Sequence, residues 1–185
     1  HWPRIAAMDF GWTHKTAVVW LAWDRDNDCI HLYDCYGRSE QVPMVHALSV
    51  KARGEWIPMM WPQDGLQHEK GTGDELKKQY LKYGVKMHNK PATNPPDHTA
   101  GQKEGEGGNS VEVGITEINE RILTGRFKVA KHLNDWFEEF RLYHREDGKI
   151  VKLNDDFMDA TRYGVMMIRH AKVQTVPQRK VMPGH

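Results

Sequence analysis

RIAAMDFGWTHKTAVVWLAWDRDNDCIHLYDCY, residues 4–36, holds three strand-like runs in close succession: Arg4 to Phe10, Thr16 to Trp23 and Cys29 to Tyr36. The joints are short. Gly11 in GWTHK suits a tight reversal, and DRDND is a polar turn of the kind that joins neighbouring strands, so the stretch predicts an antiparallel meander. Downstream, Glu40 to Arg53 has helical spacing in Val42, Val45, Leu48 and Val50, with Pro43 tolerable in the first turn and Gly54 as a stop. Trp56 to Trp61 is short and continuously apolar, which predicts a strand buried on both faces. GDELKKQYLKYG predicts a second helix with Asp74 near its start and Gly84 at its end, and Val85 to His88 predicts a brief strand.

The segment from Asn89 to Asn109 is rich in Pro, Gly and charge, and it is expected to be a mobile loop or an insertion that orders on binding, not a domain boundary. Ser110 to Thr124 resumes as a helix carrying Val111, Val113, Ile115, Ile118, Ile122 and Leu123, with Gly125 at its end. RFKVAKHL predicts a short strand. LNDWFEEFRLYHR predicts an amphipathic helix capped by Asn134 or Asp135, EDGKIVKLN a hairpin, and a final helix runs from about Asp155 through Ala171. The sum is one α/β domain over residues 1–171: three antiparallel strands, then further strands and helices, in a mixed sheet flanked by helices.

Composition sets limits on what such a domain does. At 185 residues and 39% hydrophobic content the chain can bury a proper core. It opens at His1 and runs straight into a strand, which predicts a piece of a longer polypeptide. No apolar stretch approaches the roughly 20 residues needed to cross a bilayer, so no membrane partner is expected and an intracellular domain is. A net charge of +1 hides an asymmetry: 26 basic residues balance 25 acidic ones, yet Ala160 to His185 contains no Asp or Glu. Residues 172–185 read as a basic, disordered tail. Cys29 and Cys35 in CIHLYDC are expected on one strand face, too far apart to bond, and with His31 they lack the second ligand pair that zinc would need.

Four carboxylates stand out by position. Asp9 closes one apolar strand, Asp64 closes another in WIPMMWPQD, and Asp156 and Asp159 open the last helix in NDDFMDATRYG. Active sites in open sheets form at strand ends where connections diverge, so Asp9 and Asp64 can be neighbours. Asp156 and Asp159 lie one turn apart on one helix face, and helix phase alone does not choose between them. Asp155 points elsewhere and suits an N-cap or first-turn charge. Carboxylates gathered this way repel unless cations neutralise them, so convergence would imply Mg²⁺ or Mn²⁺. His14, His68 and Lys70 follow the first two acids and are candidates to touch a phosphate or orient water; Arg162, Arg169 and Lys172 are candidates for phosphate contact. Trp136, Phe137, Phe140 and Tyr143 fit core packing better than base stacking.

AMDFGWTHKTAVVW, MMWPQDGLQHEKGTG and TGRFKVAKHLNDWFEEFRLYHREDGKIVKLNDDFMDATRYG, in that order, resemble the C-terminal nuclease domain of the large terminase subunit of tailed bacteriophages. The most specific parts are the D-x-G-W start, the WFEEFR-x-YHR helix and the DD-x-x-DA-x-RYG ending. The resemblance implies a ribonuclease H-like fold and a metal-dependent DNA endonuclease that cuts concatemeric viral DNA during genome packaging. It also implies that Asp9, Asp64, Asp156 and Asp159 are the metal-binding acids. In a two-metal site of this kind Asp9 would bridge, Asp64 would complete one ion's shell, and Asp159 with Asp156 the other's. The expected partners are double-stranded DNA, a motor ATPase domain in the same full-length chain, a small terminase subunit and a portal, in the host cell cytoplasm. No G-x-x-x-x-G-K-[ST] loop is present, so ATP hydrolysis is not expected of this chain itself.

Rival readings make separable claims. A sugar-kinase or chaperone-like ATPase shares the opening Asp-Gly turn but requires a second glycine-rich phosphate loop. A resolvase or ribonuclease H would prefer branched DNA or hybrids. A noncatalytic DNA- or portal-binding module would not need acids at three separated places.

Overall fold

The computed structural model describes residues 1–66, 75–151 and 154–175. β1 (Arg4–Asp9), β2 (Thr16–Asp24) and β3 (Cys29–Arg38) form the antiparallel meander that residues 4–36 predict. β4 (Met59–Met60) runs parallel to β1 at one edge and β5 (Phe127–Val129) parallel to β3 at the other, giving the order β4-β1-β2-β3-β5. The apolar run from Trp56 to Trp61 contracts to a two-residue strand because Pro58 and Pro62 bracket it and supply no N–H to a ladder. Val85 to His88 contributes a single parallel bridge, Met59 to Met87.

Both faces of the sheet are covered, which is why its central strands read as nearly unbroken apolar runs. On one side Ala6, Met8, Val18 and Trp20 pack with α1 (Pro43–Lys51) and α2 (Leu76–Lys82). On the other, Ile5, Ala7, Val19 and Leu21 pack with α3 (Val111–Leu123), α4 (Asn134–Leu142) and α5 (Asp156–Met166). α5 is the innermost helix. Its Phe157 is fully buried, worth about 1.5–3 kcal/mol in removed apolar surface. Gly164 brings it against the sheet, since a Cβ there would stand 2.6 Å from Leu21 Cδ1. A 3-10 turn, Ile168–His170, follows α5 in place of the continuous helix expected to Ala171.

Three local expectations change. α4 begins with Leu133 in the N-cap position and no side-chain cap, so Asn134 and Asp135 are already helical; the burial of Leu133 sets the boundary. The β2–β3 pairing shifts register, Trp20 facing Asp34 and Leu21 facing Leu32, which leaves Tyr33 as an extra residue. Even spacing therefore no longer means a shared face. Cys35 packs with Ile30 and Leu32, whereas Cys29, one residue before Ile30, does not; both thiols are free. β6 (Arg145–Glu146) and β7 (Lys149–Ile150) make the expected hairpin, Asp147 and Gly148 both taking positive φ in its turn.

The 89–109 segment carries one 3-10 turn, His98–Ala100, and no other regular structure. It is tied down at intervals: Ala92 N–H donates to Trp61 O at 2.7 Å, Asn94 N–H to Gly108 O at 2.8 Å, and the Glu104 carboxylate accepts from Arg169 at 2.5 and 3.0 Å.

Candidate active site

β1 ends at Asp9, paired across the sheet with Ala17. β4 runs parallel beside it, so the chain leaving β4 emerges at the same end and enters a 3-10 turn, Gln63–Leu66, that carries exposed Asp64. α5 lies over β1 and β2 and begins at Asp156, with Asp159 one turn on. The topology thus brings acids from three distant points of the sequence to one end of the sheet. Asp9 registers them all: its carboxyl is pushed up to about 8, first by burial and then by Asp159, Asp156, Asp155 and Asp64 in decreasing order. Burial also raises Asp156, opposed by the nearby charges of Lys15 and His14. Asp155 occupies the N-cap position of α5, as its place in the sequence suggested.

Asp159 is engaged by a cation from its own helix. Arg162 donates to Asp159 Oδ1 from Nη2 at 3.0 Å and from Nε at 3.2 Å, with the guanidinium 4.5 Å from the Tyr163 ring centroid. Arg162 is buried, and its stem fits only because Gly114 on α3 has no side chain; a Cβ there would meet Arg162 Cγ at 2.5 Å. Arg162, a candidate for phosphate contact, is placed as a buried partner of Asp159. Tyr163 and Tyr143 border the same acids. The Tyr143 hydroxyl is pushed up to about 12, first by burial and then by Asp159 and Asp155, and that of Tyr163 is raised by burial, Asp159 and Asp9.

Arg169 and Lys172 do not join the site. Arg169 follows the far end of α5, roughly 20 Å along the helix axis from Asp156, and is taken up by Glu104. Lys172 pairs through its backbone with Arg4, at the start of β1, the end opposite Asp9. The basic series is split because α5 carries the chain away from Asp156, leaving Arg169 and Lys172 beyond its far end. His14 is exposed beside the acids. His68 and Lys70 lie outside the described residues, as does everything beyond Thr175. Trp136 is in the core as expected, its indole N–H donating to Thr161 Oγ1 at 2.9 Å, and Phe140 stacks on it.

Two residues that the sequence reading passed over complete the surroundings. Lys15 Nζ lies 2.6 Å from Glu139 Oε1, and Glu139 Oε2 accepts the Phe157 N–H at 2.7 Å. Glu139 had a legible signal: it sits three residues after Trp136, on the apolar face of an amphipathic helix, where a lone acid calls for a partner. Lys15 had none, being one cation in a polar turn. Among the described residues no three His, Cys, Asp or Glu side chains, as placed, are set closely enough to hold a metal ion; this covers both the acid cluster and the Cys29, His31, Cys35 group. His31 instead stacks on Trp2, ring centroids 4.7 Å apart.

A mixed β4-β1-β2-β3-β5 sheet with acids at the ends of β1 and β4 and at the start of its covering helix is a ribonuclease H-like arrangement. Residues 6–168 match the terminase RNaseH-like domain family, and the chain belongs to that family. It is 46% identical to the large terminase subunit of Salmonella phage P22 over 187 residues, covering 99% of this chain and 36% of that protein. It is 48% identical to the large terminase subunit of Enterobacteria phage LP7, covering 90% of this chain and 33% of that one. The chain thus spans about a third of the length of these curated relatives. The solved P22 large terminase nuclease domain matches at TM-score 0.81 and 47% identity, covering 93% of this chain and 84% of that one. The large terminase of a thermophilic bacteriophage shares the fold at TM-score 0.64 and 15% identity, covering 90% of this chain and 40% of that one.

Proposed function

We propose that this chain is the nuclease part of a terminase large subunit, a divalent-metal-dependent endonuclease that cuts concatemeric viral DNA in the host cytoplasm during packaging. The observation that carries the reading is the gathering of Asp9, Asp64, Asp156 and Asp159 from three distant points of the sequence at one end of the sheet, with Asp9 buried among them. A carboxyl group whose proton is held to about pH 8 by burial and by four surrounding acids is costly to ionise alone, and a cation among those acids removes the cost. Asp9, Asp64, Asp156 and Asp159 are the residues that would hold Mg²⁺ or Mn²⁺. The donor set suits such hard cations, since it is oxygen throughout. Side-chain rotation is required of it, because Asp159 leans on Arg162. The nuclease domain of the SPP1 large terminase, of the same fold at 17% identity, has been solved with Mn bound.

Divalent cations held there would supply an activated water and stabilisation of the departing 3′ oxygen. The protein's own residues do the rest. Asp9, at the centre, holds a proton that a bound cation would displace. Arg162 donates to one oxygen of Asp159 and so offsets part of its charge. Lys15 places positive charge beside Asp156 and lowers the cost of its ionisation. The motor that moves DNA is assigned to the part of the full-length protein outside this chain, with the small subunit and portal as further partners. The large terminase of the thermophilic bacteriophage has also been solved with ATP-γ-S, and only 39% of it corresponds to this chain.

The test is cleavage of supercoiled plasmid with Mn²⁺, Mg²⁺ or chelator, beside Asp9→Asn. Metal-dependent nicking and linearisation are expected, lost in the variant by at least about a hundredfold. Cutting that survives either chelator or the substitution sinks the proposal.

A further inference from the structure

Glu139 on α4 is a buried carboxylate whose two oxygens serve two different elements. Oε1 takes the Lys15 ammonium at 2.6 Å, on the turn six residues after Asp9, and Oε2 takes the Phe157 N–H at 2.7 Å, the amide next to Asp156. The first amides of a helix have no partner within it, and Asp155 in the N-cap position makes no side-chain cap, so α5 is capped from another helix. The Lys15 ammonium also stands 4.8 Å from the Phe157 ring centroid. Room for both exists because Gly37 lacks a side chain: a Cβ there would lie 2.8 Å from Lys15 Cδ and from Phe157 Cζ.

We infer that Glu139 is a positioning residue of the site, a clasp that fixes the loop after Asp9 against the first turn of α5 and so sets how Asp9 faces Asp156 and Asp159. The inference rests on the nuclease reading above. Asp9 and the α5 acids come from separate elements, and Glu139 is a carboxylate bonded to a neighbour of each. α4 and α5 remain joined without it through the Trp136 to Thr161 hydrogen bond, so loss of the clasp changes alignment before it changes the fold. A misalignment of about 1 Å costs up to about a hundredfold in rate.

The experiment compares Glu139→Gln, Lys15→Met and the double variant with the parent chain. The expected result is a fall in kcat of about tenfold or more, a KM for plasmid within about twofold, and a raised Mn²⁺ concentration for half-maximal rate, with the double variant no worse than the poorer single one. Amide exchange at Phe157, read by NMR without metal, is expected to quicken severalfold in Glu139→Gln while distant sheet amides keep their protection. Lys15→Arg should recover part of the rate. A folded Glu139→Gln that cuts within about twofold of the parent at every Mn²⁺ concentration overturns the inference. Should the parent cut nothing, the nuclease reading falls, and unchanged Phe157 exchange in Glu139→Gln would then remove the clasp as well.

Discussion

Asp9 binds its proton up to about pH 8 in the folded chain, against an ordinary value of 3.8. Without divalent cation the native state therefore holds more protons than the unfolded one between those limits. Its contribution to stability falls as pH rises from about 4 to about 8 and levels off beyond. Asp9→Asn removes the ionisation while keeping the shape, so in chelator at pH 8 the variant is expected to melt at a higher temperature than the parent, and at pH 5 the gap should narrow. Mn²⁺ should raise the parent's melting temperature more at pH 8 than at pH 6, since binding displaces that proton, and should leave the variant little changed. Thermal melts at the three pH values decide it; parent and variant melting alike in chelator at pH 8 would mean the carboxyl is not strained by its surroundings. The strand end announced Asp9, but not Arg162. Helix phase puts Arg162 beside Asp159 without saying that the pair is buried, and only the bare surface of Gly114, on a helix about fifty residues away in sequence, makes that burial possible.

Among the elements, the 4–36 meander was legible because apolar runs of strand length and the short polar turns between them are local facts. The bulge at Tyr33 was not, for it depends on how β3 meets β2, and it reverses the face on which Cys35 falls relative to Cys29. Composition alone described the 89–109 segment, and composition says nothing of its anchor. Glu104 is held down to about 2, first by the hydrogen bonds from Arg169, with His170 adding to them. A depressed carboxyl contributes stability above its ordinary value of 4.5 and loses it as pH falls towards 2. Because the Glu104 side chain is 46% exposed, solvent screens the pair and the contribution is about 0–1 kcal/mol. Glu104→Gln is accordingly expected to leave the melting temperature nearly unchanged at pH 7 while speeding proteolytic nicking between residues 96 and 108. Equal nicking rates in parent and variant would show that the Asn94 bonds alone secure the segment.

Across the whole molecule, charge is arranged against DNA. The acids gather at one end of the sheet, and nearby or expected cations are paired within the fold: Arg162 with Asp159, Arg169 with Glu104, Lys15 with Glu139. The sequence showed the balance of 26 basic and 25 acidic residues but not these pairings, which join positions up to 124 residues apart. Polyanion binding is then expected of the basic end of the chain, where the sequence carries Arg179 and Lys180 and no Asp or Glu. The informative cut is after Thr175, not after Ala171, because Lys172 completes a two-way backbone pairing with Arg4 at 2.7 and 3.0 Å and its removal would disturb β1. Each phosphate neutralised adds about 0.9 to the magnitude of the slope of log K against log salt. Truncation after Thr175 should therefore lower that magnitude by about two, weaken plasmid binding most at low salt, and leave the rate at saturating DNA unchanged. Binding isotherms of the Asp9→Asn background in chelator, across a salt series, read the slope free of cleavage. A slope unaltered by the truncation would assign phosphate contact to the folded part, where exposed His14 and Arg38 stand at the acidic end of the sheet.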